Sequence, residues 1–437
     1  MTTRPPLSTA ATIAVGSELL IPPRLDTNSL TITSVLAEIG IAVISKCIVG
    51  DRIDHVAEAI RHALAQVDLV IVTGGLGPTD DDVTRDAVAQ VLGRKQQESG
   101  EIVDRLRRRF ASRGLEMPAI NRRQAMVIEG ADVLDNPNGT APGQWIEEGE
   151  RVVLLLPGPP RELEPMLATV VERRLRERAA PGRIHKRSIL IVGLGESHAE
   201  ERLQPCYARW HAQPIRIDAT ILASGGQIEL HLFARAEEAA AQAALAAAVA
   251  EVQERFGPHV VSVDGRTIEE TVGALLQARG WRVAVAESCT GGLVTSRLTD
   301  VPGSSGWVER SVVVYSNAAK IELLGVPASL IEEHGAVSEP VAQAMAEGVR
   351  RIAHVEAGVG VTGIAGPTGG SEAKPVGTVC IAVAAGERTV VKTFRYPGTT
   401  RRFVKTLASL GALDMLRRSL IPGGHERGTW EAPPPGR

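Results

Sequence analysis

Four cysteines in 437 residues, Cys47, Cys206, Cys289 and Cys380, lie far apart with no CxxC spacing. That scarcity speaks against a disulfide framework and against a structural zinc site. Neither sign of charge prevails: 48 Lys and Arg stand against 51 Asp and Glu, and a net charge of −3 offers no broad field for nucleic acid or a membrane surface. Small molecules or a second copy of the chain are the expected partners. No run of 18 apolar residues occurs, so no membrane-spanning helix is expected. The N-terminus MTTRPPLSTAATIAVGSELL has no basic segment ahead of a long apolar one and meets Glu18 early, which predicts a cytoplasmic location. Two familiar signatures are missing as well, the GxSxG elbow and the GxxxxGK[ST] phosphate loop.

What is present is a long alternation of short apolar runs with amphipathic segments. From Ala11 to about Glu172 it reads TIAVG, DTNSLTITSVLAEIG, IAVISKCIVG, a helix from Asp54, then DLVIVTGG. Strand, helix, strand, helix, strand predicts an α/β domain with a mainly parallel sheet over residues 1–175. Composition shifts near Ala180. There ILIVGLGESHAEERL and ATILASGGQIELHLFARA predict a strand, a helix and a hairpin turned at Ser224-Gly225-Gly226, followed by an alanine-rich helix to Phe256. This small α+β domain, 180–262, is near the lower size at which a domain folds alone. Its His198 and His231 have no matched ligand spacing and are read as structural. Thr267 with Glu270 makes a capping box that opens a third, α/β domain, 266–420. The tail 421–437 has no periodicity and is expected to be disordered. The basic stretch DRLRRRFASR (104–113) has only Phe110 beside it and reads as a solvated helix face.

Chemistry concentrates between Val283 and Lys320. VAVAESCTGG places Ser288 just past a strand and ahead of Gly291 and Gly292, with helical spacing after them. Backbone N–H groups converging at that helix N-terminus are expected to meet an oxyanion or a phosphate. No histidine is near in sequence, so lysine is the candidate base. Lys320 falls in the first turn of a helix capped by Ser316 or Asn317, where the helix dipole and burial both disfavour its charged form. Tyr315 is placed to relay the proton or hold the hydroxyl. Cys289 adjoins Ser288, and a thiol is the better nucleophile at neutral pH. Spacing alone favours plainer roles, with Ser288 as a helix cap, Tyr315 as a core aromatic and Lys320 as a solvated charge. The loop GIAGPTGGSEAKP (363–375) either encloses the phosphate and ribose of a mononucleotide or is a surface hairpin.

In open α/β sheets ligands bind beyond the carboxyl ends of the strands. At that edge the first domain places Glu18, then Asp26 and Asn28 at a helix start, then TGGLGPTDDDVTRD. Gly74, Gly75 and Gly77 free the backbone to approach an anion, and Asp80, Asp81 and Asp82 supply hard oxygen ligands. The same aspartates would equally cap the helix that follows.

AESCTGG, VVYSNAAK, HGAVSEP (334–340) and GIAGPTGGSEAKPVGTV (363–379) closely resemble the C-terminal domain of the CinA proteins, the nicotinamide mononucleotide deamidases. GGLGPTDDDVT, NPNGTAPG (136–143) and LPGPPRELEPML (156–167) resemble the N-terminal domain of the same family, which shares the fold of molybdopterin-binding domains. What the resemblance implies is a Ser/Lys amidohydrolase needing no cofactor, with Ser288, Tyr315 and Lys320 catalytic. Substrate would lie against Cys289, Thr290 and Gly291 and the loop residues Gly366, Thr368, Gly369, Gly370, Ser371 and Lys374. Cys289 is then packing, or a donor of its N–H. For the first domain it implies hydrolysis of ADP-ribose to AMP and ribose 5-phosphate with magnesium, manganese or cobalt. Asp81, Asp82, Glu18 and Asp26 would hold the metal, and Gly74, Gly75, Gly77 and Asn28 the substrate. It further implies a homodimer and a KH-like middle domain, here without the GxxG loop that RNA binding needs. One departure stands out: the loop after GSELL reads IPPRLDTN, and Pro22 and Pro23 fix φ and remove N–H donors. The rival readings are a molybdopterin-handling enzyme and a non-catalytic nucleotide-binding or competence factor.

Overall fold

A computed structural model describes residues 5–179, 182–396 and 400–421. The chain divides into two compact units. One comprises residues up to His185 with Arg235–Gln242, the other Lys186–Ala234 with the residues from Ala243 onward.

In the first unit β1 (Thr9–Val15), α1 (Asn28–Glu38), β2 (Ala42–Val49), α2 (Ile53–Leu64) and β3 (Leu69–Thr73) follow in the order that the apolar spacing predicts. Then come α3 (Thr84–Leu92), β4 (Gln96–Glu98), α4 (Gly100–Ala111), β5 (Met126–Ile128), β6 (Ala131–Leu134), β7 (Gly143–Glu148), β8 (Arg151–Leu156), α5 (Pro160–Val170) and α6 (Arg176–Arg178). Six strands form one sheet in the order β2-β1-β3-β8-β7-β6. The first four run parallel, while β7 and β6 are antiparallel to their neighbours. Its central strands are covered on both faces, by α2 and α3 on one side and α1 and α5 on the other. Double burial explains why LVIV and VVLLL show no polar alternation. The carboxyl ends of β1, β3 and β8 share one edge, where the Gly16–Glu18 turn, the Gly74–Asp82 loop and the segment Pro157–Pro160 emerge.

The second stretch contains β9 (Arg183–Val192), α7 (Glu196–Ala212), β10 (Ile217–Ser224), β11 (Gln227–Ala236), α8 (Glu238–Phe256) and β12 (Val260–Ser262). Its sheet has the order β10-β11-β9-β12. Ser224 pairs with Gln227, so the hairpin turns on Gly225 and Gly226 alone. The third comprises α9 (Ile268–Arg279), β13 (Val283–Glu287), α10 (Leu293–Thr299), β14 (Val308–Val313), α11 (Asn317–Leu324), α12 (Ala328–His334), α13 (Glu339–Ala353), β15 (Ala357–Gly363), β16 (Thr378–Ala385), β17 (Arg388–Arg395) and α14 (Arg401–Ser419). The capping box of Thr267 and Glu270 opens α9 as expected. The five-stranded sheet runs β14-β13-β15-β16-β17, with β14, β13 and β15 parallel. Gly358 and Gly360, which mimic part of a dinucleotide motif, serve packing instead. A Cβ there would stand 2.2 Å from the Ala346 carbonyl oxygen and 2.4 Å from that of Ala342, so glycine lets α13 lie flush on β15.

Leu190, Val192 and Val261 of the middle sheet share one apolar cluster with residues of α9, β13, β15 and α14. Near the end of α14, Asp414 accepts from Arg417 Nε and Nη2 at 2.9 and 2.7 Å and from Arg418 Nε at 2.8 Å, all three side chains being buried. Arg417 also donates to the carbonyls of Pro258 and Val260, which ties α14 to the middle domain. Beyond Ile421 the expected disordered tail lies outside the described residues, and among those residues no helix is long and apolar enough to cross a membrane. Replacing Asp414 by Ala strands two buried guanidinium groups without their counter-charge. Urea unfolding followed by circular dichroism should show a loss of about 3–5 kcal/mol; a loss within error would mean the arginines find other partners.

Candidate active sites

β13 delivers Ser288 to the carboxyl edge of the five-stranded sheet, where its N–H donates to the Val361 carbonyl of β15 at 2.9 Å. Ser316 caps α11, its hydroxyl accepting from Ala319 N–H at 3.0 Å. With the helix start fixed in this way, Lys320 turns inward and is only 1% exposed. Its Nζ lies 3.3 Å from Ser288 Oγ, 3.0 Å from the Val314 carbonyl oxygen and 3.4 Å from that of Tyr315. Burial pulls the Lys320 pKa below the ordinary lysine value, because the charged form loses its water. The solvated-charge reading of Lys320 is therefore excluded.

Tyr315 is 63% exposed and is no core aromatic. Its phenol accepts from Arg401 Nη2 at 2.9 Å and bonds neither Ser288 nor Lys320, so no direct proton relay through it is present. Arg401 Nη1 reaches the Gly366 carbonyl at 2.8 Å. Ser288, Cys289, Lys320, Thr362, Tyr315 and Arg401 are among the residues lining a cavity of about 180 Å³.

The expected anion-binding helix N-terminus beside Ser288 is already taken. The buried Glu287 carboxylate accepts from the N–H groups of Gly292, Val294 and Thr295 at 2.9, 3.1 and 2.9 Å and from the Thr295 hydroxyl at 2.8 Å. Cys289 is buried, and loss of solvent pushes its thiol up to about 12, so at neutral pH it is a packing group. Thr290 is buried and its hydroxyl finds no partner among the described residues.

Of the glycine loop, only Gly366 meets a cavity residue through a hydrogen bond, the one to Arg401. Thr368, Gly369, Gly370, Ser371 and Lys374 do not line the cavity. Their loop closes on itself: Ser371 N–H donates to the Lys374 carbonyl, Lys374 N–H to the Ser371 hydroxyl, and Lys374 Nζ to the His334 carbonyl at 2.7 Å.

In the first unit a cleft of about 750 Å³ gathers Glu18, Asp26, Asn28, Gly74, Gly75, Gly77, Asp81 and Asp82, as expected from their place at the sheet edge. Several of these polar groups are engaged locally. Asp82 accepts from Gly77 N–H at 2.7 Å and from Thr79 N–H and hydroxyl at 2.9 and 2.5 Å. Asp26 caps α1 through the N–H and hydroxyl of Ser29, and Asn28 donates to the Gly158 carbonyl at 2.6 Å. Buried Arg85 holds the carbonyls of Leu76 and Gly77, and desolvation pulls it down to about 10.

Among the described residues no three acidic, histidine or cysteine side chains converge as a protein-only metal cage requires. Asp82 and Asp26, expected as ligands, are spent on their own loops. A divalent ion would draw on the exposed Glu18 and Asp81, the latter also accepting from Thr79, with oxygens of a bound phosphate completing the shell.

Three family models match the chain in succession: "Probable molybdopterin binding domain" over residues 11–177, "Damage-inducible protein CinA KH domain" over 186–262 and "CinA C-terminal domain" over 265–420. A CinA-like protein of Koribacter versatilis is 47% identical over 417 residues, covering 94% of this chain and 100% of its own. Another from Acidobacterium capsulatum is 43% identical over 418 residues, with the same shares of each chain. The chain belongs to the CinA family. Among solved structures, the competence/damage inducible protein CihA of Agrobacterium tumefaciens is 37% identical, covers 35% of this chain and 94% of its own, and has a TM-score of 0.35.

The sequence reading singles out neither Arg401 nor Glu287 of this CinA site. Arg401 enters from the far end of the domain, and only its cationic character at a helix start marks it. Glu287 has a clearer signal, a lone carboxylate closing the apolar strand VAVAE. Glu287→Ala would leave three backbone N–H groups and a hydroxyl without their acceptor, at an expected cost of about 3 kcal/mol or more in urea unfolding; unchanged stability would show that the turn is held by other contacts. Iodoacetamide near neutral pH should label exposed Cys47 and leave Cys289 unmodified in the native chain, as read by peptide mass spectrometry.

Proposed function

We propose that the C-terminal domain of this CinA chain is a Ser/Lys amidohydrolase that converts nicotinamide mononucleotide to nicotinate mononucleotide and ammonia. The observation that carries this reading is the buried contact of 3.3 Å between Lys320 Nζ and Ser288 Oγ. In the neutral amine two N–H bonds serve the carbonyls of Val314 and Tyr315, and the lone pair takes the Ser288 proton. Oγ attacks the carboxamide carbon and the C–N bond breaks as Lys320 returns the proton to the departing ammonia. Water then hydrolyses the acyl-serine with the same lysine as base. Oxyanion stabilisation falls to the N–H of Cys289, which lines the cavity and which Glu287 does not use. Arg401 at the cavity mouth suits an anionic group of the nucleotide. A purely nucleotide-binding role would need no buried nucleophile against a desolvated base.

Ser288→Ala should abolish ammonia release from nicotinamide mononucleotide, and wild-type turnover in that variant would remove Ser288 as nucleophile. The pH profile tests the base. Only neutral Lys320 accepts the proton, so activity falls as pH drops through the lowered pKa. On the alkaline side it levels off below the pH at which an ordinary lysine deprotonates. A rate independent of pH across that range would overturn the assignment.

For the first unit we infer hydrolysis of ADP-ribose in the 750 Å³ cleft. A divalent ion held by Glu18 and Asp81 would neutralise the charge of the diphosphate, while the loop braced by Asp82 and Arg85 presents its backbone. Asp81→Asn should lower divalent-ion-dependent release of AMP by about tenfold or more and leave ammonia release unaltered. An equal loss of both activities would point to misfolding instead.

A further inference from the structure

We infer that the hairpin tip of the middle domain, through Gly226, positions α14 and with it Arg401 at the mouth of the Ser288 cavity. Gly225 and Gly226 both have positive φ, 59° and 84°, as a two-residue hairpin turn demands. Their surroundings differ. A Cβ on Gly225 meets nothing within 4 Å, whereas one on Gly226 would stand 2.5 Å from Leu407 Cδ2 and 3.1 Å from Leu410 Cδ2. Both leucines belong to α14 and are buried in the shared core, 5% and 2% exposed, so they have little room to swing aside. Gly226 is therefore required twice, by its own backbone and by the helix lying against it.

Arg401 precedes Leu407 by six residues, about 9 Å along the same helix. Thr400 caps that helix, accepting from Phe403 N–H, and at the far end Arg417 is bonded to the carbonyls of Pro258 and Val260. The middle domain thus touches α14 at two places, and Arg401 projects from the first turn to Gly366 and Tyr315. Packed helices move as rigid pieces, so a shift at Leu407 displaces Arg401. Ser288 lies just past β13 and Lys320 on α11, and their 3.3 Å contact includes no residue of α14. Gly226 is on this account a positioning residue for substrate affinity, which rests on the reading of the cavity as the nucleotide site.

The test compares Gly226→Leu with Gly225→Leu in the full chain. Both add a side chain at positive φ, and only the first meets α14. Gly226→Leu is expected to raise KM for nicotinamide mononucleotide about tenfold with kcat within about twofold of wild type, and to speed amide hydrogen exchange over residues 401–407. Gly225→Leu should do neither, and adding Leu407→Ala to Gly226→Leu should bring KM back toward wild type by vacating the contested volume. Equal effects of the two single variants, or no effect of Gly226→Leu, or no rescue, would overturn the inference. Should Gly226→Leu not fold, Gly226→Ala is measured in the same way, since its Cβ still meets Leu407. If the wild-type chain releases no ammonia, the catalytic reading fails, while exchange over 401–407 in the two variants still decides whether the hairpin holds α14.

Discussion

Burying a lysine beside a serine is the constraint on which the C-terminal site depends. An ammonium group removed from water carries a large penalty unless a counter-charge meets it, and no carboxylate counters the desolvation of Lys320. Three elements enforce the burial together. The Ser316 cap sets the rotation of α11, the parallel strands β13 and β15 fix Ser288 on the sheet edge, and the Val314 carbonyl receives one N–H of the amine. Glu287, in the adjacent turn, meets the opposite solution. Its oxygens collect four donors, so fixed backbone dipoles replace water around the carboxylate. One buried group is thus left poorly solvated, and the other is fully bonded.

The first unit distributes its polar groups in the same way. Most of the charged or amide side chains at its cleft are consumed in shaping backbone: Asp82 and Arg85 grip the loop after β3, Asp26 caps α1, and Asn28 reaches Gly158. Glu18 and Asp81 stay exposed at the cleft, although Asp81 too accepts from Thr79. A cleft of about 750 Å³ whose polar groups are mostly engaged in shaping backbone suits a ligand that brings its own charge and oxygens.

Much of this was legible because it is periodic. Central strands read as continuous apolar runs, the hairpin at Gly225-Gly226 and the capping box at Thr267 have local signatures, and each occurs where its pattern stands. The meeting of Ser288 with Lys320 was drawn from motif resemblance, since spacing alone allowed a cap and a surface charge. What pattern could not distinguish was direction. Asp81 and Asp82 are adjacent and chemically identical, yet Asp82 folds back on Gly77 and Thr79 while Asp81 stays exposed. Thr368 and Ser371 look like phosphate donors until the loop is seen to close through Ser371 and Lys374. Arg401 was invisible for a different reason: 113 residues of chain separate it from Ser288, and only the packing of α14 brings them to one cavity.

That separation has a physical consequence. Ser288 and Lys320 belong to the sheet edge, where β13, β15 and α11 share a dense core. Arg401, at the cavity mouth, belongs to a helix that packs on α9, α10 and β16 of its own domain and also touches the middle domain through Leu407, Leu410 and Arg417. A displacement of α14 would therefore reach Arg401 directly, since the 3.3 Å contact between Lys320 and Ser288 includes no residue of that helix. Arg401 thus takes its place from a helix that the middle domain touches directly, whereas Ser288 and Lys320 meet at the sheet edge.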